Sequence, residues 1–178
     1  MLTIIIIGAI ILLLGILIVA IYNELTKERI LVEEAWSVIG TFLQQRNDTI
    51  PNMVEIVKGY AGHENKTLVE VTRWRNSSAE ATTPAEQQTA SQGLQRALMN
   101  LYSVAENYPE LKANENFLRL QGDLTDIEEK INQSRRYYNG TVREYNQSIA
   151  VIPKNAVASI FGFQAKEFFA ESESSASA

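Results

Sequence analysis

The chain has 178 residues, 46% of them apolar and 21% charged, with a formal net charge of -5 and no cysteine. That length suffices for one ordinary domain; the excess of carboxylates argues against nucleic acid as the main partner, because phosphate binding needs a basic surface. Without thiols there are no disulfides, thiolate metal sites or cysteine nucleophiles, which leaves a globular or membrane-attached protein.

From Leu2 to Ile21 the stretch LTIIIIGAIILLLGILIVAI carries no charge. At about 1.5 Å per residue, about twenty residues cross a hydrocarbon core of about 30 Å, so residues 1–22 are predicted to be a transmembrane anchor in the lipid bilayer. A cleaved signal peptide would show a basic residue before a shorter apolar run and a small-x-small site after it; this sequence shows neither. Lys27 and Arg29 follow the span and no Lys or Arg precedes it, which by the positive-inside rule points the C-terminal bulk to the cytoplasm. Gly8 and Gly15 lie seven apart on one helix face, where small residues let a neighbouring helix approach closely.

Beyond the span, Val32, Trp36, Ile39, Leu43, Ile50, Val54, Val57 and Ala61 keep helical spacing, so one long helix is expected to run out of the anchor. The stretch RNDTIPNMVEIVKGYAGHE, Arg46 to Glu64, interrupts that pattern with a proline, two glycines and the chain's single histidine. It reads as a joint rather than an active site. Pro51 is either a kink or the first residue of a restarted helix capped by Asp48 or Thr49, Gly62 ends that helix, and His63 lies in the turn that follows.

A helix around Leu68 and Val71 comes next. Thr83-Pro84-Ala85-Glu86 is a capping box with proline at the first helical position, and Leu94, Leu98, Leu101 and Ala105 form the apolar stripe of the helix it opens. Pro109 marks a turn. Phe117, Leu120, Leu124, Ile127, Ile131, Ser134, Tyr138, Val142, Tyr145, Ile149 and Ile152 then alternate steps of three and four, the signature of a long helix packing at a shallow angle. Asn114 or Asn116 should cap it and Pro153 end it, with a short helix near Ala156 to Phe161 stopped by Gly162. No strand-like alternation appears. The predicted fold is all-α: a transmembrane helix continuing into an elongated antiparallel bundle of three to four long helices over residues 23–165, with a flexible acidic, Ser-rich tail at 166–178.

Catalytic constellations are not found. His63-Glu64 lacks the second histidine of a zinc-protease helix, and Asp123, Asp126, Glu128 and Glu129 read as a solvated helix face rather than a hard-cation site. No glycine pattern of a nucleophile elbow surrounds a serine, and no phosphate-cradling loop is present. The expectation is no catalytic residue, no metal, no cofactor and no enzyme activity. In RRYYNGTVREYN, Tyr138 and Tyr145 share a face with Asn139 and Asn146 beside them; they are either buried tyrosines bonding across the bundle or the lining of a ligand groove. Phe161, Phe163, Phe168 and Phe169 either fold onto the bundle or form an apolar patch for a partner subunit or lipid.

Four blocks carry a resemblance: EEAWSVIGTFLQQRNDTIPNMVEIVKGYAGHE (Glu33 to Glu64), YPELKANENFLRLQ (Tyr108 to Gln121), RRYYNGTVREYNQSI (Arg135 to Ile149) and IPKNAVASIFGF (Ile152 to Phe163). In this order they resemble the LemA family of bacterial proteins. The resemblance implies one N-terminal membrane helix carrying a helical bundle, with the bulk on the cytoplasmic side of the inner membrane. It implies no enzyme activity, cofactor or substrate. The family's recurring positions fall here on Trp36, Arg46, Asp48, Pro51, Asn52, Lys58, Tyr60, His63, Tyr108, Pro109, Asn114, Asn116, Tyr138, Asn139, Asn146 and Asn155. Trp74 stands where the resemblance leads one to expect a smaller residue.

The function expected is a non-enzymatic, membrane-anchored scaffold that forms a homo-oligomer. The alternative is a tethered binding module that recognises a peptide or another membrane protein through Tyr138, Asn139, Tyr145 and Asn146, with Phe161 and Phe163 nearby.

Overall fold

The structure is a computed structural model that describes residues 1–62 and 64–169. Six α-helices and no strand occur among them: α1 (Leu2–Tyr60), α2 (Asn65–Glu80), α3 (Pro84–Glu106), α4 (Pro109–Lys112), α5 (Glu115–Ala150) and α6 (Lys154–Phe161). The fold is all-α, with an N-terminal apolar helix and a helical bundle. His63, expected at the helix joint, and positions 170–178 of the expected tail lie outside the described residues.

The chain divides into two compact units, one of residues 1–36 with 137–167 and one of residues 37–136 with Phe168 and Phe169. In the second, α1, α2, α3 and α5 run alternately up and down, joined by short connections. Ile50, Met53 and Val57 of α1, Leu68 and Val71 of α2, Leu94, Ala97 and Leu101 of α3, and Phe117, Leu120 and Leu124 of α5 form its core, with Leu111 of the one-turn α4 included. Along α1 the inward positions are Ile39, Leu43, Arg46, Ile50, Met53 and Val57, alternating steps of four and three.

Local signals set the helix ends. The Thr83 hydroxyl accepts the Glu86 N–H at 3.2 Å, while the Glu86 carboxylate accepts the N–H groups of Thr82 and Thr83 at 2.9 and 3.1 Å, closing the expected box. Those backbone donors, Thr82 first, hold the Glu86 carboxyl below its ordinary pKa. Asn114 rather than Asn116 caps α5: its Oδ1 accepts the Phe117 N–H at 3.0 Å, and its Nδ2 donates to the Tyr60 hydroxyl at 3.2 Å. Gly162 ends α6 at φ 73°, the left-handed conformation that favours glycine.

Trp74 has a structural counterpart. A Cβ on Gly93 of α3 would run into the Trp74 ring of α2, so the absent side chain makes the room that the indole fills. The guanidinium of Arg73 lies over the same ring, 4.6 Å from its centroid.

At Pro51 the restart, one of the two alternatives, does not form. α1 continues through it without restarting, and neither expected cap acts as one: Thr49 Oγ1 donates back to the Gln45 carbonyl at 2.8 Å and Asp48 Oδ1 accepts from Gln44 Nε2 at 2.8 Å. Proline has no N–H, so the carbonyl four residues earlier, that of buried Asn47, loses its partner within the helix. Arg75 of α2 replaces it, donating Nε–H to that carbonyl at 2.8 Å. α1 ends at Tyr60, before Gly62, and Gly62 keeps out of the left-handed region. A Cβ there would lie 3.1 Å from the Lys58 carbonyl oxygen, a tight contact.

Arg75→Met should therefore lower stability by about 1–3 kcal/mol, the cost of an unpaired buried carbonyl, in urea unfolding of the detergent-solubilised chain followed by circular dichroism. Pro51→Ala returns an N–H to the Asn47 carbonyl and should abolish most of that loss. An undiminished Arg75→Met penalty in the Pro51→Ala background would show that Arg75 acts elsewhere.

Candidate functional site

Each unit contains one feature that its secondary structure alone does not require. In the second unit it is a polar cluster in the middle of the core. Arg46, 2% exposed, takes an inward position of α1. Its guanidinium donates to Glu128 Oε2 of α5 at 2.8 Å and to the hydroxyls of Ser78 of α2 and Ser91 of α3, each at 3.1 Å. Gln87 Nε2 donates to Ser78 Oγ at 2.9 Å, and Arg135 of α5 donates to Ser91 Oγ at 2.7 Å. The Arg135 guanidinium also sits 5.0 Å from the centre of the Phe169 ring. Burial lowers the Arg135 pKa; Glu128 acts against that shift and Arg46 adds to it.

Arg46 is a core residue that apolar periodicity misses, because the stripe of α1 steps from Leu43 to Ile50. The signal was that seven-residue gap in an otherwise regular pattern. Glu128, read as part of a solvated face, is instead the counter-ion of Arg46. Asp123, Asp126 and Glu129 do stay exposed.

In the first unit the feature is the apolar surface around the exit of the long helix. Leu2 to Ala20 are exposed, and Ile21 is the first buried residue. Gly8 and Gly15 lie in the exposed stretch, and a methyl group on either would meet nothing within 4 Å. Beyond them, Ile21, Leu25, Val32 and Ala35 of α1, Tyr138, Val142 and Tyr145 of α5, Val157 and Ala158 of α6, and Phe163 are buried. Tyr22 meets Phe161 and Phe163 edge-on at 4.9 and 5.6 Å between ring centres. Lys154 pairs with Glu24 at 2.9 Å and Glu28 at 3.7 Å, and the hydrogen bond to Glu24 is the main reason its pKa lies above the ordinary lysine value.

Of the residues offered as a possible interaction face, the two tyrosines and Phe163 serve this unit's interior. Tyr138 and Tyr145 are buried, and burial raises the pKa of both phenols. The Tyr138 hydroxyl donates to the Glu167 carbonyl at 2.9 Å. The Asn146 amide grips Lys166 from both sides, donating to its carbonyl at 2.9 Å and accepting its N–H at 2.8 Å. Asn139 is half-buried. The Tyr/Asn strip thus holds the chain's own residues 166–167. The four phenylalanines divide: Phe163 and Phe169 are buried, Phe161 and Phe168 half-exposed.

Among the described residues no group of three or more His, Cys, Asp or Glu is placed to hold a metal ion. A groove of about 600 Å³ at the α2–α3 corner is lined by Trp74, Glu80, Thr82, Glu86 and Ala90 among others, and Glu86 is already committed to the cap.

The model of the LemA family matches residues 35–178. A protein named LemA from Metamycoplasma hominis is 28% identical over 140 residues, which cover 76% of this chain and 63% of that protein. Magnetosome protein MamQ 2 of Paramagnetospirillum magneticum is 33% identical and magnetosome protein MamQ of Magnetospirillum gryphiswaldense 30% identical, each over 82 residues covering 46% of this chain and 30% of the relative. The chain therefore spans less than two thirds of the length of these relatives.

Arg46→Ala removes the shared donor of Glu128, Ser78 and Ser91 and should cost about 2–4 kcal/mol, below the full loss for a buried pair because the Glu128 side chain is 30% exposed. Arg46→Lys should recover only part, since an ammonium lacks the planar fork that reaches three partners. Urea midpoints of the three proteins give the order. A wild-type midpoint for Arg46→Ala would mean that the cluster contributes nothing to stability.

Proposed function

This chain belongs to the LemA family, and we propose that it is a non-enzymatic, membrane-anchored helical scaffold whose copies associate side by side in the bacterial cell membrane. The observation that carries this reading is the surface of the first turns of α1. From Leu2 to Val19 the aliphatic side chains are exposed on a helix long and apolar enough to cross a bilayer. Water does not tolerate so large a contiguous apolar surface, whereas lipid does, and a helix satisfies its backbone there without outside partners. Lys27 and Arg29 beyond the span favour a cytoplasmic location for the rest of the chain.

Two observations support a scaffold over an enzyme. The polar cluster at Arg46 consists of arginines, a glutamate, serines and a glutamine bonded to one another, an arrangement that fixes helices rather than moves protons. The single imidazole, His63, has no second histidine or cysteine anywhere in the sequence to work with. Self-association is supported by Gly8 and Gly15, which leave one face of the span open to close approach by another helix. The rival reading, a module taking a peptide on the Tyr138 and Asn146 face, has to displace residues 166–167 first.

Light scattering and chemical crosslinking of the full chain in mild detergent should both give a species larger than one copy, and Gly8→Leu with Gly15→Leu should shift it toward the monomer. A monomer by both methods at micromolar concentration would overturn the scaffold reading.

A further inference from the structure

The first unit carries a second apolar surface whose neighbour suggests what covers it. Ile152 is 85% exposed, Ile160 75%, Phe161 50% and Val151 49%, all on α6 or the turn leading into it. α6 turns Val157 and Ala158 inward and leaves Asn155, Ala156, Ser159 and Ile160 outside, so its free face bears no charge. Its one lysine, Lys154, is bound to Glu24 and Glu28. Lys166 pairs with Glu33 at 3.7 Å, and the Arg29 guanidinium rests 5.2 Å from the centre of the Phe163 ring.

Position decides the occupant. Phe161 at the end of α6 packs edge-on against Tyr22, the residue immediately after the uncharged run Leu2–Ile21. The free face of α6 is therefore continuous with the surface of the span at the level where hydrocarbon gives way to headgroups. Aromatic rings such as Tyr22 concentrate at that level, and short apolar helices lie in that plane. We infer that α6 is a second membrane contact: it lies in the bilayer interface beside the span, with Ile152, Ile160 and Phe161 among the acyl chains. This rests on the reading of Leu2–Ile21 as a membrane span. The free face of α6 bears no charge and the lysines nearest it, Lys154 and Lys166, are paired within the protein, so apolar burial rather than attraction to anionic lipid drives the contact, and it should form equally in zwitterionic bilayers.

The absence of cysteine allows a direct test. Single nitroxide-labelled cysteines at Ile160→Cys, Leu12→Cys and Tyr137→Cys are placed one at a time in the full chain, reconstituted into phosphatidylcholine vesicles. Their collision rates with oxygen, which concentrates in lipid, and with a water-soluble nickel chelate are then compared. Leu12 reports the span; Tyr137, exposed on α5, is the aqueous reference. The Ile160 label should favour oxygen, as Leu12 does, while Tyr137 favours nickel, and adding phosphatidylglycerol should not change this. An Ile160 label that behaves like Tyr137 while Leu12 reports lipid overturns the inference and leaves the span intact. A label at Ile160 shielded from both reagents would mean that a second copy covers the face, which also overturns it. An aqueous Leu12 removes the span and the inference together.

Discussion

A proline inside a long helix deletes one rung of the hydrogen-bond ladder and crowds the carbonyl one turn back, and the second unit is organised around where that carbonyl goes. Arg75 of α2 bonds the freed oxygen of Asn47. The adjacent residue, Arg46, reaches in the opposite direction to Ser78, three residues beyond Arg75. Two reciprocal arginine contacts therefore register α1 against α2 within one turn of Pro51. Ser91 extends the same registration to α3, and Glu128 and Arg135 extend it to α5. A helix pair held only by aliphatic contacts tolerates sliding by a turn at modest cost. One held by a planar fork with fixed donor directions does not.

The position of Arg46 has a cost that its partners must offset. Removing a guanidinium from water is expensive, and a single carboxylate does not by itself repay it. The cluster spreads the donors over Glu128 and two hydroxyls, and Glu128 remains partly wet at 30% exposure, which lessens its own desolvation. The net contribution to stability over an all-apolar core is small by this reasoning. The contribution to uniqueness is larger, because a shifted register would leave the charge unpaired in the core.

What was legible in the sequence follows the range of the interaction. The capping box at Thr83, the Asn114 cap, the stop at Gly162 and the three-four periodicity of α5 depend on residues within a turn or two, and they appear where the sequence places them. The kink alternative at Pro51 allowed α1 to continue, but the partner of the freed Asn47 carbonyl was not legible, because Arg75 lies 28 positions beyond Asn47. Nor was the role of Glu128, since its partner lies 82 positions back. Trp74 is intermediate: its size stood out, but the compensating Gly93 comes from the next helix, and a helical glycine, costly by about 1 kcal/mol against alanine, gives no sign of why it is there. The LemA resemblance marked Arg46 as a recurring position without showing that it lies in the core.

Of the two alternatives for the Tyr/Asn strip of α5, Tyr138 and Tyr145 take the buried one. Side chains that bond a backbone from both sides, as Asn146 does with Lys166, are the kind a peptide-binding groove uses. Residues 163–167 have no helical period to announce that Lys166 and Glu167 return to α5, so the sequence left both alternatives open. With that segment seated, Phe163 is drawn under Arg29 and against Tyr22, which closes the interior of the first unit. The same packing turns α6 so that Val157 and Ala158 face inward and Ile160 outward. The exposed apolar face of α6 is therefore set by which side the unit's interior takes up, and not by the sequence of an eight-residue helix alone.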